Sequence, residues 1–161
     1  MRSALALDIL WSEIKALPPD NADFRIQYDV GAMQFGELRL PKARGTFPMI
    51  IFIHGGCWKN EYGVDHVGPI SRAISEEGYA VWSPEYRRIG DVGGGWPGTF
   101  EDIIKSVEML RDIAPKHGLD LGHVIVMGHS AGGHLGYGLQ AARICYQRAD
   151  SMSVNRCPFM G

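Results

Sequence analysis

The spacing of hydrophobic positions changes along the chain, and these changes predict a series of helices and strands. Residues 4–16 carry apolar side chains at helical spacing, which Pro18 and Pro19 end. Two short alternating segments, 24–30 and 35–40, flank Gly31 and predict an antiparallel hairpin. The apolar run 49–53 is typical of a strand buried on both faces.

From residue 64 onward, helical and strand patterns take turns. Helices are predicted over 64–77 and from Thr99 to Ala114, with Asp102 and Thr99 forming a capping-box-like pair. Strands are predicted over 79–83 and 124–127, the latter buried, and a further helix directly after Ser130. This order predicts crossover connections and an α/β fold: a mostly parallel sheet with helices on both faces.

The length of 161 residues predicts one domain spanning residues 1–161. Its last stretch, 143–161, has no clear period and is predicted to be irregular. No strand is predicted after 124–127, so the sheet is expected to lack C-terminal strands and to leave an apolar edge unpaired. The interpretation is therefore a truncated domain.

Composition and charge exclude several classes of function. A net charge of -2, with no basic cluster longer than Arg87-Arg88, argues against nucleic-acid binding. No run of about 18 apolar residues is present, so no membrane span is predicted. Three cysteines without C-x-x-C spacing argue against a disulfide scaffold or a zinc site and favour a reducing, cytoplasmic location.

Residues 93–98 match the dinucleotide-binding pattern G-x-G-x-x-G in sequence, but the structural context predicted for them does not fit a dinucleotide site. The match contains Pro97 and follows no tight strand-to-helix turn, so a loop near the substrate is the better interpretation. Neither a cofactor nor a metal ion is expected.

The segment GHSAGG, residues 128–133, has the form of a nucleophilic serine turn centred on Ser130. Glycines at 128 and 132 fit such a turn because side chains there would collide with the neighbouring strand and helix. The helix that begins behind Ser130 directs free N–H groups and positive dipole toward developing negative charge. The N–H of Ala131 is thus a natural oxyanion donor. The alternative is an ordinary glycine-rich turn.

A second glycine motif, HGGCW at residues 54–58, directly follows the strand predicted at 49–53. Main-chain N–H groups approach a substrate oxygen closely only where side chains are absent, so Gly55 and Gly56 suit an oxyanion loop. Two such motifs, in this order and after these strands, indicate a serine hydrolase.

Four segments together carry a family resemblance: HGGCW, SPEYRR at 83–88, GWPGTFEDI at 95–103 and GHSAGGHL at 128–135. From about residue 27 to 142 the chain resembles the N-terminal portion of the α/β-hydrolase superfamily. Within it, the chain resembles the carboxylesterase and hormone-sensitive-lipase-like branch with kynurenine formamidase-like members. The resemblance implies Ser130 as nucleophile, an oxyanion hole of the Gly55, Gly56 and Ala131 N–H groups, and hydrolysis of a small carboxylic ester or aryl formamide through an acyl-enzyme.

The resemblance also implies a catalytic acid and a histidine after Ser130. Only Asp150 and His134 follow it. His134 lies four residues into the predicted helix and is interpreted as a packing or hydrogen-bonding residue, while Asp150 has no later histidine to orient. Without a base the serine is a poor nucleophile, so this chain alone is expected to be weak or inactive.

Three interpretations of the short chain remain open. In the first, favoured here, it is the front portion of a complete hydrolase. In the second, it is a degenerate, non-catalytic module that binds a small acyl ligand or a protein partner. In the third, another chain supplies the missing base by swapping or heteromeric assembly, and a homo-oligomer is one possible form. The aromatic residues near the motifs either line an apolar substrate pocket or pack in the core; they are Trp58, Tyr86 and Trp96.

Overall fold

The computed structural model describes residues 13, 16–18 and 20–139. Most of the helix predicted over 4–16, and the whole of the segment 143–161, lie outside the described residues. The described chain forms a five-stranded sheet of order β1-β2-β4-β3-β5. None of its helices is both long and apolar enough to cross a lipid bilayer.

The sheet is mixed. Its strands are β1 Phe24–Gln27, β2 Phe35–Arg39, β3 Phe47–Ile53, β4 Ala80–Pro84 and β5 Leu119–Gly128. The predicted hairpin is confirmed, since β1 and β2 pair antiparallel; β2 also pairs antiparallel with β4. β3 lies between β4 and β5 and is parallel to both, as crossover connections require.

Helical segments follow β3, β4 and β5. They are a 3₁₀ helix Val64–Val67, then α1 Gly68–Glu76, α2 Gly98–Glu108, α3 Leu110–His117 and α4 at residues 131–139. Alternate side chains of β3 serve the two faces of the sheet. Ile51 packs in one buried cluster with Ile103 of α2 and Leu135 of α4, whereas Phe52 packs in another with Val64. The α/β fold with helices on both faces is confirmed.

The helix predicted over 64–77 is in fact two segments. A 3₁₀ helix covers Val64–Val67, and α1 begins only at Gly68, with Pro69 in its first turn. Proline has no N–H to donate, so it fits the first turn of a helix and disfavours a continuous helix through that point.

The capping box predicted at Thr99 is wrong. The helix begins at Gly98, without a side-chain cap. The Thr99 hydroxyl donates to the carbonyl of Arg87 and accepts from the N–H of Gly95, while Asp102 binds the Arg87 guanidinium at 2.7 and 2.8 Å. Both side chains therefore tie α2 to the loop after β4.

The helix predicted to run from Thr99 to Ala114 divides at Met109 into α2 and α3. There the hydrogen bonding tightens, because Asp112 N–H donates to the Met109 carbonyl three residues back at 3.0 Å. Pro115 lies inside α3 and removes a further helical donor. The predicted buried stripe persists across the division, with Ile103 and Leu110 both in the core.

Residues 124–127 form a strand, as predicted, but it is not buried. β5 lies at the edge of the sheet, and within residues 20–139 it pairs with β3 alone. Ile125 and Met127 are consequently 53% and 38% exposed. Hydrophobicity predicted the strand correctly, whereas its burial depends on which strands flank it.

The difference between a central and an edge strand predicts unequal losses of stability. We expect Ile51→Ala, which empties a site only 2% exposed, to lower the free energy of unfolding by about 2–5 kcal/mol. Ile125→Ala, on the edge strand, should cost less than about 1 kcal/mol. Urea unfolding of both variants measures the difference, and equal losses would contradict the assignment of β5 to the edge.

Candidate active site

The serine turn, residues 128–133, joins the end of β5 to α4. Ser130 is exposed and has φ +54, in the left-handed region that non-glycine residues rarely adopt. A Cβ on Gly132 would lie 2.1 Å from the Ile53 carbonyl oxygen, and one on Gly128 would lie 2.4 Å from the Gly132 carbonyl carbon. The predicted need for glycine at both positions is confirmed.

The glycine loop, residues 54–59, follows β3 and meets the serine turn. A Cβ on Gly55 would lie 2.6 Å from the His129 carbonyl oxygen and 3.1 Å from Ser130 Cβ. Gly56 has φ +117, a conformation that favours glycine. The two motifs, 75 residues apart from Gly55 to Ser130, are therefore in van der Waals contact.

The backbone of the glycine loop is strained but tied at several points. Cys57 and Trp58 have φ +52 and +57, and the turn is closed by the Lys59 N–H donating to the Gly56 carbonyl at 2.9 Å. The N–H of Ile89 then donates to the Trp58 carbonyl at 2.6 Å. Such backbone conformations persist only where surrounding contacts fix them. The hydrogen bond from Ile89, in the loop after β4, is one of these contacts.

The first turn of α4 provides main-chain donors beside Ser130. Ala131, 3% exposed, is its first helical residue, and N–H groups at that position have no intrahelical acceptor. The next two N–H groups, of Gly132 and Gly133, donate back to the His129 and Ser130 carbonyls at 2.9 and 3.0 Å. The helix N-terminus also carries partial positive charge, which favours an anion at this end.

A buried pair, His54 and Glu85, supports the glycine loop from beneath. His54 Nε2 lies 2.9 Å from Glu85 Oε1, and neither side chain exposes more than 5% of its surface. The Tyr86 ring stacks on the imidazole at 4.3 Å, and its hydroxyl donates to the His54 carbonyl at 2.8 Å. Burial raises the pKa of the Glu85 carboxyl, but hydrogen bonding and charge from His54 outweigh it, so the pKa lies below its usual value.

Sequence reasoning placed His54 at the start of the glycine motif, but it missed Glu85. A signal for Glu85 was present: it directly follows β4, and β4 is the parallel neighbour of β3, which ends just before His54. The carboxyl ends of parallel neighbours meet at one edge of a sheet, so an acid there can reach the histidine.

The three aromatic candidates occupy different environments. Tyr86 is fully buried, which matches the core-packing alternative. Trp58 is half-buried, with its ring edge-on to His134 at 5.5 Å. Trp96 is 70% exposed, 5.8 Å from the Phe100 ring. A pocket role therefore stays a prediction for Trp58 and Trp96.

The described hydrogen bonds of the histidine rings do not involve Ser130. None of the hydrogen bonds described for residues 20–139 joins the Ser130 hydroxyl to a histidine ring: His54 bonds to Glu85 and Gly55, and His123 to Asp120. His134 contacts Trp58, in keeping with a packing residue. Asp150 lies outside the described residues.

The comparisons with known proteins identify the family. The sequence profile named BD-FAE matches residues 37–148, well over half of the chain. The chain belongs to the BD-FAE family. Among the curated proteins, no sequence matches the chain significantly.

Several solved structures similar to this BD-FAE chain are esterases. Esterase B from Lactobacillus rhamnosis, in a tributyrin phosphonate-inhibited form, is 31% identical with a TM-score of 0.70, over 92% of this chain and 50% of that one. A bacterial heroin esterase is 27% identical (TM-score 0.61), over 69% and 35%. An esterase of Pyrobaculum calidifontis is 25% identical (TM-score 0.61), over 71% and 36%.

These similarities confirm the resemblance to carboxylesterase-like α/β-hydrolases and support membership of an ester-hydrolase family. The BD-FAE chain spans half the length of esterase B. It spans about a third of the length of each of the other two esterases.

The packing of the serine turn predicts opposite tolerances at two adjacent glycines. Gly132→Ala should lower the free energy of unfolding by about 2–3 kcal/mol, because the new Cβ, 2.1 Å from a main-chain oxygen, forces the turn away from β3. At Gly133 the nearest atom is 3.3 Å away, and alanine gains about 1 kcal/mol of helix propensity.

We therefore expect Gly133→Ala to change stability by less than about 1 kcal/mol. Urea unfolding of both variants makes the comparison at matched helical positions. Equal tolerance at 132 and 133 would show that the serine turn does not pack against β3 as described.

Proposed function

We propose that this chain carries the nucleophile and the oxyanion hole of a serine esterase. Ser130 is the nucleophile, and the N–H groups of Gly55, Gly56 and Ala131 bind the oxyanion. The observation that carries the proposal is the contact between the two motifs: Gly55 approaches Ser130 so closely that a Cβ would lie 3.1 Å from Ser130 Cβ. Membership of the BD-FAE family and the esterase neighbours support the same chemistry.

In this proposal the Ser130 oxygen attacks the ester carbonyl carbon, and the carbonyl oxygen becomes a tetrahedral oxyanion. The three N–H groups stabilise that charge as it develops. The bond to the alcohol then breaks, leaving an acyl-enzyme, which water hydrolyses to release the acid and the free serine. Each half of the reaction needs a group that takes a proton and returns it to the leaving group.

We propose that none of the described residues serves as the base for these proton transfers, so the chain alone is slow. Where triad members are removed from serine hydrolases, the oxyanion hole and binding still give about 10³–10⁴-fold acceleration over water. We therefore expect residual esterase activity that depends on Ser130.

The proposed substrate class is a small carboxylic ester. One similar esterase is inhibited by a phosphonate analogue of tributyrin, a glycerol ester of a short acid. An aryl formamide has the same type of reacting carbonyl and stays the alternative substrate. Trp58 and Trp96 are the proposed apolar contacts for the acyl or aryl group, because Trp58 belongs to the glycine loop and is only half-buried, and Trp96 is 70% exposed.

A fluorophosphonate probe tests the nucleophile. Phosphonylation joins the Ser130 oxygen to phosphorus and expels fluoride. We expect slow labelling of the 161-residue chain at neutral pH, mapped by mass spectrometry to Ser130 and absent in Ser130→Ala.

Two results contradict different parts of the proposal. Fast, stoichiometric labelling at neutral pH means that a base is present after all. A folded chain that is labelled only at other residues removes Ser130 from the role of nucleophile. Release of p-nitrophenol from a short-chain ester, compared between the wild-type chain and Ser130→Ala, measures turnover alongside the labelling.

A further inference from the structure

Beneath the glycine loop, the carboxylate of Glu85 is surrounded by hydrogen-bond donors. Its Oε2 accepts from the Val64 N–H at 2.9 Å, and its Oε1 accepts from the Tyr86 N–H at 3.0 Å. The Arg88 guanidinium approaches at 3.5 Å. Two N–H groups and a guanidinium stabilise the ionised carboxylate, and only His54 Nε2 could accept a proton from a neutral carboxyl, so these donors call for the ionised form. The lowered pKa of Glu85 agrees with this requirement.

Both ring nitrogens of His54 face acceptors. Nε2 lies 2.9 Å from the ionised Glu85 carboxylate, and Nδ1 lies 2.8 Å from the Gly55 carbonyl oxygen. Neither acceptor can donate a proton, so each contact is a hydrogen bond only if the imidazole nitrogen carries one. A neutral histidine carries a single N–H. His54 must therefore hold both protons and be an imidazolium.

The surroundings of His54 suit a buried cation. Its ring stacks on Tyr86 with a centroid distance of 4.3 Å and an interplanar angle of 10°, an arrangement in which the aromatic face attracts positive charge. Burial first, and then the charge of His54, lower the pKa of His66, whose ring is 5.6 Å away. His66 is thus kept neutral beside the cation.

The charge reaches the glycine loop through one peptide unit. The Gly55 carbonyl, which accepts from His54, belongs to the same peptide as the Gly56 N–H, and this peptide is trans. In a trans peptide the C=O and N–H point in opposite directions, so the bond to His54 directs the Gly56 N–H away from the buried ring. A charged donor on the carbonyl also polarises the peptide and strengthens its N–H as a donor.

We propose that Glu85 holds His54 as a buried imidazolium, which orients and polarises the Gly55–Gly56 peptide for binding an oxyanion at the Gly56 N–H. The oxyanion role rests on the proposed function; the protonation of His54 and its effect on the peptide do not. Glu85 and His54 are positioning residues, because they act on the substrate only through the Gly56 N–H.

Several charged or titratable groups face this pair and set its response to pH. Arg88 lies behind Glu85 and is itself paired with Asp91. His66 faces His54 from the 3₁₀ helix Val64–Val67, with Asp65 beside it and His129 on the serine turn contributing further charge. The Tyr86 hydroxyl, whose pKa burial raises, stays protonated and donates to the His54 carbonyl.

The test is an NMR titration of the full chain with ¹⁵N-labelled histidine, assigned with His54→Gln. We expect His54 to show two protonated ring nitrogens at pH 7. A neutral His54 ring at pH 7 would overturn the proposal.

Glu85→Gln tests the partner. Without the carboxylate, His54 should lose its second proton, and the carbonyl ¹³C shift of Gly55 should change with it. Glu101→Gln, which removes the same charge from an exposed site on α2, should leave His54 doubly protonated. If the carbonyl ¹³C shift of Gly55 stays the same when the protonation of His54 changes, the proposed polarisation of the Gly55–Gly56 peptide is overturned.

Labelling of Ser130 by the fluorophosphonate gives the functional readout. Glu85→Gln should slow labelling about tenfold at pH 7.5, less than the 10²–10³-fold typical of losing an oxyanion donor outright. The deficit should shrink as the pH falls and His54 regains its proton. A deficit that is constant with pH indicates a structural effect only and contradicts the proposal. If the fluorophosphonate does not label Ser130 in the wild-type chain but the NMR results are as expected, the proposed function is contradicted. The polarisation of the Gly55–Gly56 peptide by His54 is then still supported.

Discussion

The close approach of two glycine turns is the constraint on which the candidate site depends. β3 and β5 are parallel neighbours and end together, with Ile53 opposite Gly128. The chain that leaves each strand must then pass the other without side chains, because Gly132 lies against the Ile53 carbonyl and Gly55 against Ser130. Sheet pairing therefore fixes the distance between the proposed nucleophile and the proposed oxyanion donors.

Contact alone does not orient a main-chain N–H group, and a second layer of structure does that here. The glycine loop contains backbone in the left-handed region, which would relax without restraint. The loop after β4 restrains it by the bond from Ile89 N–H to the Trp58 carbonyl and by the Glu85–His54 pair. α2 in turn anchors that loop, since the buried Asp102 carboxylate binds both the main chain and the guanidinium of Arg87.

The features that the sequence predicted correctly are those determined by residues close together in the chain. Hydrophobic runs predicted the strands, and the glycines around Ser130 and after His54 predicted the two turns, because steric demands within a few residues select glycine there. The failures arise from contacts distant in sequence. Asp102 reads as a cap for the helix that begins beside it, yet it binds Arg87 and Gln34, which lies 68 residues away. The exposure of Ile125 follows from the edge position of β5, which periodicity does not encode.

The arrangement separates two requirements of ester hydrolysis that are often treated together. Stabilising an oxyanion needs fixed dipoles, which Gly55, Gly56 and Ala131 can supply from the junctions after β3 and β5. Moving protons needs a titratable side chain within hydrogen-bond reach of Ser130. The buried imidazolium proposed at His54 cannot meet the second need, because its protons are committed to Glu85 and the Gly55 carbonyl. Its contribution is electrostatic, and for that reason it needs the protonated ring, whereas a general base needs the neutral one.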